Sequence, residues 1–220
     1  MPDLPPSTAR DRLVTSAFEL FDAQGFDDTT VDDIANHAGV GRTTFFRHFG
    51  SKEAVIFPEH EKLLAGIQAR LEASDPDTRD LAVVEAARLV LRYYVGEGDQ
   101  ARIRYRLISS VPALRAREIA GIRQYEKTFA RALSAWMADS PDGALRAELL
   151  AAAVVTAHNH VLRRWLRGET KTPEDDFAHA MTIVLDRDRS PAEQTAVVVL
   201  RTDADTEAVS AAVTKALRTL

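Results

Sequence analysis

The chain has 220 residues, 45% of them hydrophobic and 28% charged, enough to bury a sizeable core, so disorder is not its default. It lacks cysteine, which excludes disulfide frameworks, thiolate nucleophiles and thiolate zinc sites and leaves any metal to His and carboxylates. The net charge of −5 gives no bulk attraction to nucleic acid. There is no apolar run near the roughly 18 residues of a membrane span and no signal-like start, so a cytoplasmic protein without a membrane partner is expected.

Apolar residues recur at three and four along most of the chain, which predicts helix after helix. The first is expected from Ser7 to Gln24 on a stripe of Leu13, Ala17, Phe18, Leu20 and Phe21, with Gly25 just past its end. Thr30 caps a short second helix, Asp33 completes the cap, and Val31, Ile34, Ala35 and Ala38 face inward. After Gly39, Arg42 to Phe49 makes a two-turn third helix, and a long helix follows from Ser51 to about Glu72 with Pro58 inside it. Helices then fall near 79–95, 100–110, 112–138, from Gly143 through Arg167, and onward from Pro173, a favoured first helical residue. Thr195 to Arg201 is rich in β-branched residues and Asp205 to Leu217 returns to helical spacing. The expected fold is all-α: a helix-turn-helix head over 1–52, a larger helical domain over 53–189, and a β-α extension over 190–220.

Function is concentrated in residues 30–49. The acids of the head lie on its flanks, and none occurs from Ile34 through Lys52, where Arg42, Arg47, Lys52, His37 and His48 all fall. At about 100° per residue, Phe45 and Phe49 face inward while Thr43, Thr44 and Arg47 point the other way, with Phe46 and His48 on the flanks. Arg42 stands at the N-terminal end, where a recognition helix meets base edges. Arginine can pair with guanine O6 and N7, and threonine offers a hydroxyl and a methyl to thymine. Lys52 adds a charge suited to a phosphate. Phe18, Phe21, Phe26, Phe45 and Phe49 are expected in the core, Phe46 is not, and Asp32 and Asp33 are expected as helix-start acids away from DNA.

The stretch TTVDDIANHAGVGRTTFFRHFGSKEAV closely resembles the DNA-binding signature of the tetracycline-repressor (TetR) family, through Thr30, Asp33-Ile34-Ala35, Ala38-Gly39-Val40, Thr44, Phe45-Phe46, His48-Phe49 and Ser51-Lys52-Glu53. The resemblance implies that Thr30, Thr44, Phe46, His48 and Lys52 face phosphates and that Arg42, Thr43 and Arg47 face bases. Two positions depart from the pattern: Phe46 stands where tyrosine is usual, and Gly41 where a serine or threonine caps the recognition helix. The resemblance also implies a homodimer, double-stranded operator DNA and a small-molecule effector as partners.

The larger domain gives its own signals. Leu145, Leu149, Ala152, Ala153 and Thr156 form one track, and Leu150, Val154, Ala157, Val161 and Trp165 another, so that helix needs covering on both sides. A second copy is one cover, with the Phe177, Ala180, Met181, Val184 and Leu185 stripe supplying a second helix to a four-helix interface. Candidate ligand-binding residues are Tyr93, Tyr94, Arg102, Tyr105, Arg106, Tyr125, Phe129 and Trp136, with the alternating Arg102, Arg104 and Arg106 suited to an anionic head group. The arginine-rich helix, Leu107-Ile108, Pro112-Ala113-Leu114 and Arg115 resemble a subgroup that senses fatty-acyl coenzyme A or related lipids. His158 and His160 are about 200° apart and do not form a chelating pair, and no cofactor is expected. Catalytic signatures such as a phosphate loop, HExxH or a dinucleotide fingerprint are missing, so the rival to a ligand-responsive repressor is a ligand-free DNA-binding dimer or an activator, ahead of a small helical enzyme.

Overall fold

Two threonines set the first two helices by the same device. Thr8 accepts from the Asp11 backbone N–H, and the Asp11 carboxylate accepts from the Thr8 backbone, which starts α1 (Ala9–Gln24). Thr30 and Asp33 repeat this closed box at α2 (Val31–His37). Gly25 ends α1 at φ 88° and Gly39 makes the turn after α2 at φ 66°, a region where a side chain would be strained. The recognition helix α3 (Arg42–His48) starts without a side-chain cap, as glycine at position 41 requires.

The computed structural model describes residues 8–188, and within them all regular structure is helical. After α3 come α4 (His60–Glu72), α5 (Arg79–Glu97), α6 (Asp99–Ser110), α7 (Pro112–Trp136), α8 (Gly143–Leu166) and α9 (Pro173–Asp188). The expected strand and helix over 190–220 lie outside the described residues.

One expected helix is broken. In place of a continuous helix from Ser51 to Glu72 there is a 3-10 turn over Glu53–Val55, then a buried non-helical stretch through Phe57 and Pro58, and α4 begins only at His60. Pro58 has no N–H and crowds the backbone of Phe57 away from helical angles, so it separates two elements where a bend within one had been expected. The stretch also serves as a plug: Val55, Ile56 and Phe57 pack into the head with Leu13, Phe21, Ile34, Phe45 and Phe49. That cluster also takes in Leu107 of α6 and Leu114 of α7, so by packing the head extends beyond residue 52 and shares its core with the larger domain.

The second core lies among α4, α5, α7, α8 and α9 and is centred on Leu91, Leu133, Ala147, Val154 and Phe177. The two tracks of α8 have different fates. Leu150, Val154, Val161 and Trp165 are buried in this core, whereas Leu145 and Leu149 are 58% and 61% exposed. The α9 stripe corrects the expectation of an intersubunit helix face: Phe177, Met181 and Val184 are buried against the protomer's own core, and the large apolar residue that α9 leaves outside is Ile183.

Candidate DNA-binding surface and ligand pocket

The outer face of α3 is assembled as the spacing predicted. Phe45 and Phe49 are buried with ring centroids 5.5 Å apart, which fixes the rotation of the helix. Arg42, Thr43, Phe46, Arg47 and His48 are consequently exposed and Thr44 is half-buried. Phe46, 43% exposed, is a large apolar group held at the surface.

Asp32 departs from its expected place. Its carboxylate accepts from the Arg42 guanidinium at 2.6 Å, and Arg42 also lies 5.3 Å from the centre of the Phe46 ring. An acid of α2 thus reaches the start of the recognition helix, because the long arginine side chain folds back across the turn. Asp33 stays within its cap as expected, and the hydroxyl of Thr30 is engaged in the same box. Among the described residues Arg47 and His48 form no ion pair with a carboxylate.

Lys52 has an internal task that its sequence position did not reveal. Its ammonium donates to the carbonyls of Phe26 at 2.7 Å and Thr29 at 2.8 Å and lies 4.2 Å from the centre of the Phe26 ring. It therefore clamps the loop before α2 while keeping one N–H and its charge. Phe26, expected in the core, is half-buried beneath this clamp.

A pocket of about 400 Å³ opens between α5, α6, α7 and α8, lined by Tyr94, Arg104, Tyr105, Ile108, Glu118, Ile122, Asn159, Leu162 and others, with exposed Arg115, Ile119 and Arg163 at its rim. A smaller cavity of about 30 Å³ adjoins it, sharing Tyr94, Glu118, Ile122, Asn159 and Leu162 and adding Tyr125, Phe129 and His158. Tyr94, Tyr105, Tyr125 and Phe129 of the expected ligand set therefore line these spaces. The other four do not. Tyr93 hydrogen-bonds Glu97, Arg102 stacks on Trp165, exposed Arg106 pairs with Asp22 of α1, and Trp136 packs at the second core.

Of the three alternating arginines, Arg104 is the one that turns inward. Arg104 is 3% exposed because it shares the inner stripe of α6 with Ala101 and Leu107, while Arg102 and Arg106 fall on other faces. It forms a bidentate pair with Glu97, donates from Nε to the Ile56 carbonyl at 2.5 Å, and sits between the rings of Phe18 and Tyr94 at 5.3 and 5.5 Å. A second link joins α4 to α7: His60, the first residue of α4, hydrogen-bonds the Tyr125 hydroxyl at 2.7 Å, its ring packed on Gly121. Burial, with the charges of Arg104 and Arg117, holds the His60 pKa below its ordinary value, which favours the neutral ring. Glu118 and His158 were also missed, although each is a polar residue set in an apolar helical stripe, which is a readable signal. Burial lowers the His158 pKa to about 4 and raises that of Glu118, the latter partly offset by Arg104 and Arg163. Among the described residues no group of His, Asp and Glu is arranged to hold a metal ion, and no helix is long and apolar enough to cross a membrane.

Residues 13–57 match the model for bacterial regulatory proteins of the tetR family, and residues 80–188 match that for the MftR C-terminal domain. The MftR transcriptional regulator of Mycobacterium tuberculosis is 32% identical over 183 residues, covering 81% of this chain and 90% of that protein. TcmR, an HTH-type transcriptional regulator of Streptomyces glaucescens, is 30% identical over 169 residues, covering 73% and 75%. Among solved structures, the SmeT–triclosan complex, SmeT being a repressor of a Stenotrophomonas maltophilia efflux pump, superposes with a TM-score of 0.57 at 20% identity, over 82% of this chain and 91% of that one.

Proposed function

The chain belongs to the TetR family of transcriptional regulators, and from that premise we propose that it is a homodimeric repressor whose two α3 helices bind a palindromic operator until a small hydrophobic or acyl-CoA-like effector enters the α5–α8 pocket and releases it. It is a regulator and not an enzyme. In this reading Arg42, Thr43 and Arg47 meet base edges, while Thr30, Thr44, Phe46, His48 and Lys52 lie along sugar and phosphate. Phe46 supplies packing alone, because it lacks a phenolic hydroxyl. The exposed Leu145, Leu149 and Ile183 provide an apolar face for a second copy.

The observation that carries the reading is Arg104, which belongs at once to the pocket wall and to the hydrogen bonding of the head. A ligand that displaces Tyr94 or Arg104 alters the support of Ile56, and the Tyr125–His60 bond gives the smaller cavity a hold on the start of α4. Operator half-sites one turn apart, roughly 34 to 36 Å, require a fixed spacing between recognition helices. A coupling of about 1 to 3 kcal/mol would weaken operator binding by about 5- to 150-fold, enough for induction.

The test is a DNA-binding assay on the region upstream of the protein's own gene, with and without a panel of hydrophobic drugs and acyl-CoA esters. Release by one class at micromolar concentration supports the proposal. Paired spin labels on the heads should show an altered distance distribution with the releasing ligand, and an unchanged distribution rejects the mechanism.

A further inference from the structure

Glu118 lies where the two cavities meet, and its Oε2 is fully buried with no hydrogen-bond partner among the described residues. Such an atom is costly unless something satisfies it. Arg104, the buried cation of the same wall, is already taken up by Glu97. At the rim, Arg115 and Arg163 form no ion pair among the described residues, although the Arg115 guanidinium donates to the Ser109 carbonyl. The pocket thus has positive charge at its mouth, apolar walls of Ile122 and Leu162, and an unsatisfied carboxyl at its base.

Two kinds of ligand could satisfy that carboxyl: a cation binding it ionised, or an oxygen acceptor taking its proton. A cation would have to pass and remain near two guanidinium groups that form no ion pair among the described residues, whereas an anion is drawn to them. Burial itself favours the protonated acid. Resting on the reading of this pocket as the effector site, we infer that Glu118 is a specificity-determining residue that donates a hydrogen bond to an uncharged oxygen of a compact amphipathic anion, whose charge lies at Arg115 and Arg163. A volume of about 400 Å³ is toward the small end of the roughly 300 to 1,000 Å³ typical of drug-sized ligands, which fits a body of two or three rings.

The experiment uses the full-length protein and three matched probes in calorimetric titration: 6-methoxy-2-naphthoate, 2-naphthoate, and the cationic 6-methoxy-2-naphthylmethylammonium. The methoxy acid should bind about tenfold more tightly than the acid without the acceptor, the difference expected of one hydrogen bond. The ammonium probe should bind more weakly than either acid. Glu118→Gln, whose amide also donates, should keep the methoxy preference; Glu118→Leu should lose it; and Arg115→Ala with Arg163→Ala should erase the preference for acids. Circular dichroism melting of each variant establishes that it is folded. Tighter binding of the ammonium probe, equal loss in Gln and Leu variants, or no binding of the methoxy acid overturns the assignment. Release of upstream DNA is measured separately: a methoxy acid that binds as expected without releasing DNA rejects the effector reading and leaves the role of Glu118 intact.

Discussion

Arg104 and Ile56 are joined by a 2.5 Å hydrogen bond between a guanidinium in the pocket wall and a backbone carbonyl of the plug beneath the recognition helix. Those residues are 48 positions apart in the chain, so the bond ties two parts of the fold whose helices are otherwise separate elements. The same side chain neutralises Glu97, which Tyr93 also holds through its hydroxyl at 2.8 Å.

Replacing Arg104 by leucine leaves the mostly buried Glu97 carboxylate and the Ile56 carbonyl without their partner. Removing one member of a buried pair costs on the order of 3 kcal/mol, while removing both charges costs much less. Arg104→Leu should therefore lower the urea midpoint markedly, and adding Glu97→Leu should recover part of the loss. Equal midpoints for wild type and Arg104→Leu would show that the link contributes no stability.

Lys52→Met keeps the apolar stem over Phe26 but removes the donors to the Phe26 and Thr29 carbonyls. The expected loss is about 1 to 3 kcal/mol of stability, from two acceptors left unpaired in a partly buried loop. With the phosphate contact proposed for Lys52, its replacement should also flatten the slope of log K against log salt by about 0.9 per half-site. Arg47→Ala should instead weaken sequence preference, seen as a smaller gap between operator and random DNA. A Lys52→Met protein with an unchanged salt slope would confine Lys52 to its internal role.

In the proposed DNA complex Asp32 competes with a base edge for Arg42, since the guanidinium would have to leave the carboxylate that now holds it. Asp32→Asn should tighten operator binding several-fold at low salt, and the gain should shrink as salt screens the pair. Fluorescence anisotropy at two ionic strengths measures both effects. A weaker operator complex would mean that Asp32 positions Arg42 for DNA instead of withholding it.

His158 titrates at about 4 in the folded protein, below the roughly 6.5 of an unfolded histidine, because its ring is buried beside Phe177. The unfolded chain therefore takes up the proton first. Stability from this group is complete above about pH 6.5, declines as pH falls toward about 4, and declines no further below that; the total is at most about 3 kcal/mol. His60 shifts in the same direction and adds to the slope. Chemical denaturation at pH 7, 6 and 5 should show the decline, and His158→Leu should reduce it. Because the raised Glu118 pKa acts in the opposite direction, the decisive comparison is between the variants: a pH dependence unchanged in His158→Leu would contradict the burial of a neutral ring.

Much of the head was legible in the sequence, since the Thr30 cap, the glycine turns and the rotation of α3 follow from residues within a few positions of each other, although the matching Thr8–Asp11 box went unread. What depended on distant partners was not visible. Lys52 reads as a surface charge until the Phe26 and Thr29 carbonyls, 26 and 23 residues away, are brought to it. The break at Pro58 needed the knowledge that Val55 to Phe57 would be drawn into the head. In the larger domain the helices were legible and their outward faces were not. Arg104 was read as one of three head-group arginines, and its burial could have been read as well, because it is in phase with Ala101 and Leu107; Glu118 could have been found because it interrupts the stripe of Leu114, Gly121 and Tyr125. The assignment of the α9 stripe to an intersubunit contact failed because periodicity reports that a face is buried without saying by which neighbour.

Leu149 provides the direct test of the dimer. It is 61% exposed in the protomer, on the same outer track of α8 as Leu145, and α9 exposes Ile183. Fully burying one leucine against a partner stabilises by about 1.5 to 3 kcal/mol, counted twice by symmetry, and an unpaired carboxylate there would add a desolvation cost. Leu149→Glu should therefore sediment as a monomer at concentrations where wild type is a dimer, with an unchanged circular dichroism spectrum because the position is outside both cores. Operator affinity should fall with it, since each head then holds one half-site without its twin, whereas binding to a single half-site should change little. Leu81→Glu is the control: that leucine is 63% exposed near the start of α5, so its replacement should leave the dimer intact. If Leu149→Glu remains dimeric and binds the operator as wild type does, the subunits meet through some other face and the spacing of the recognition helices has to be set by different contacts.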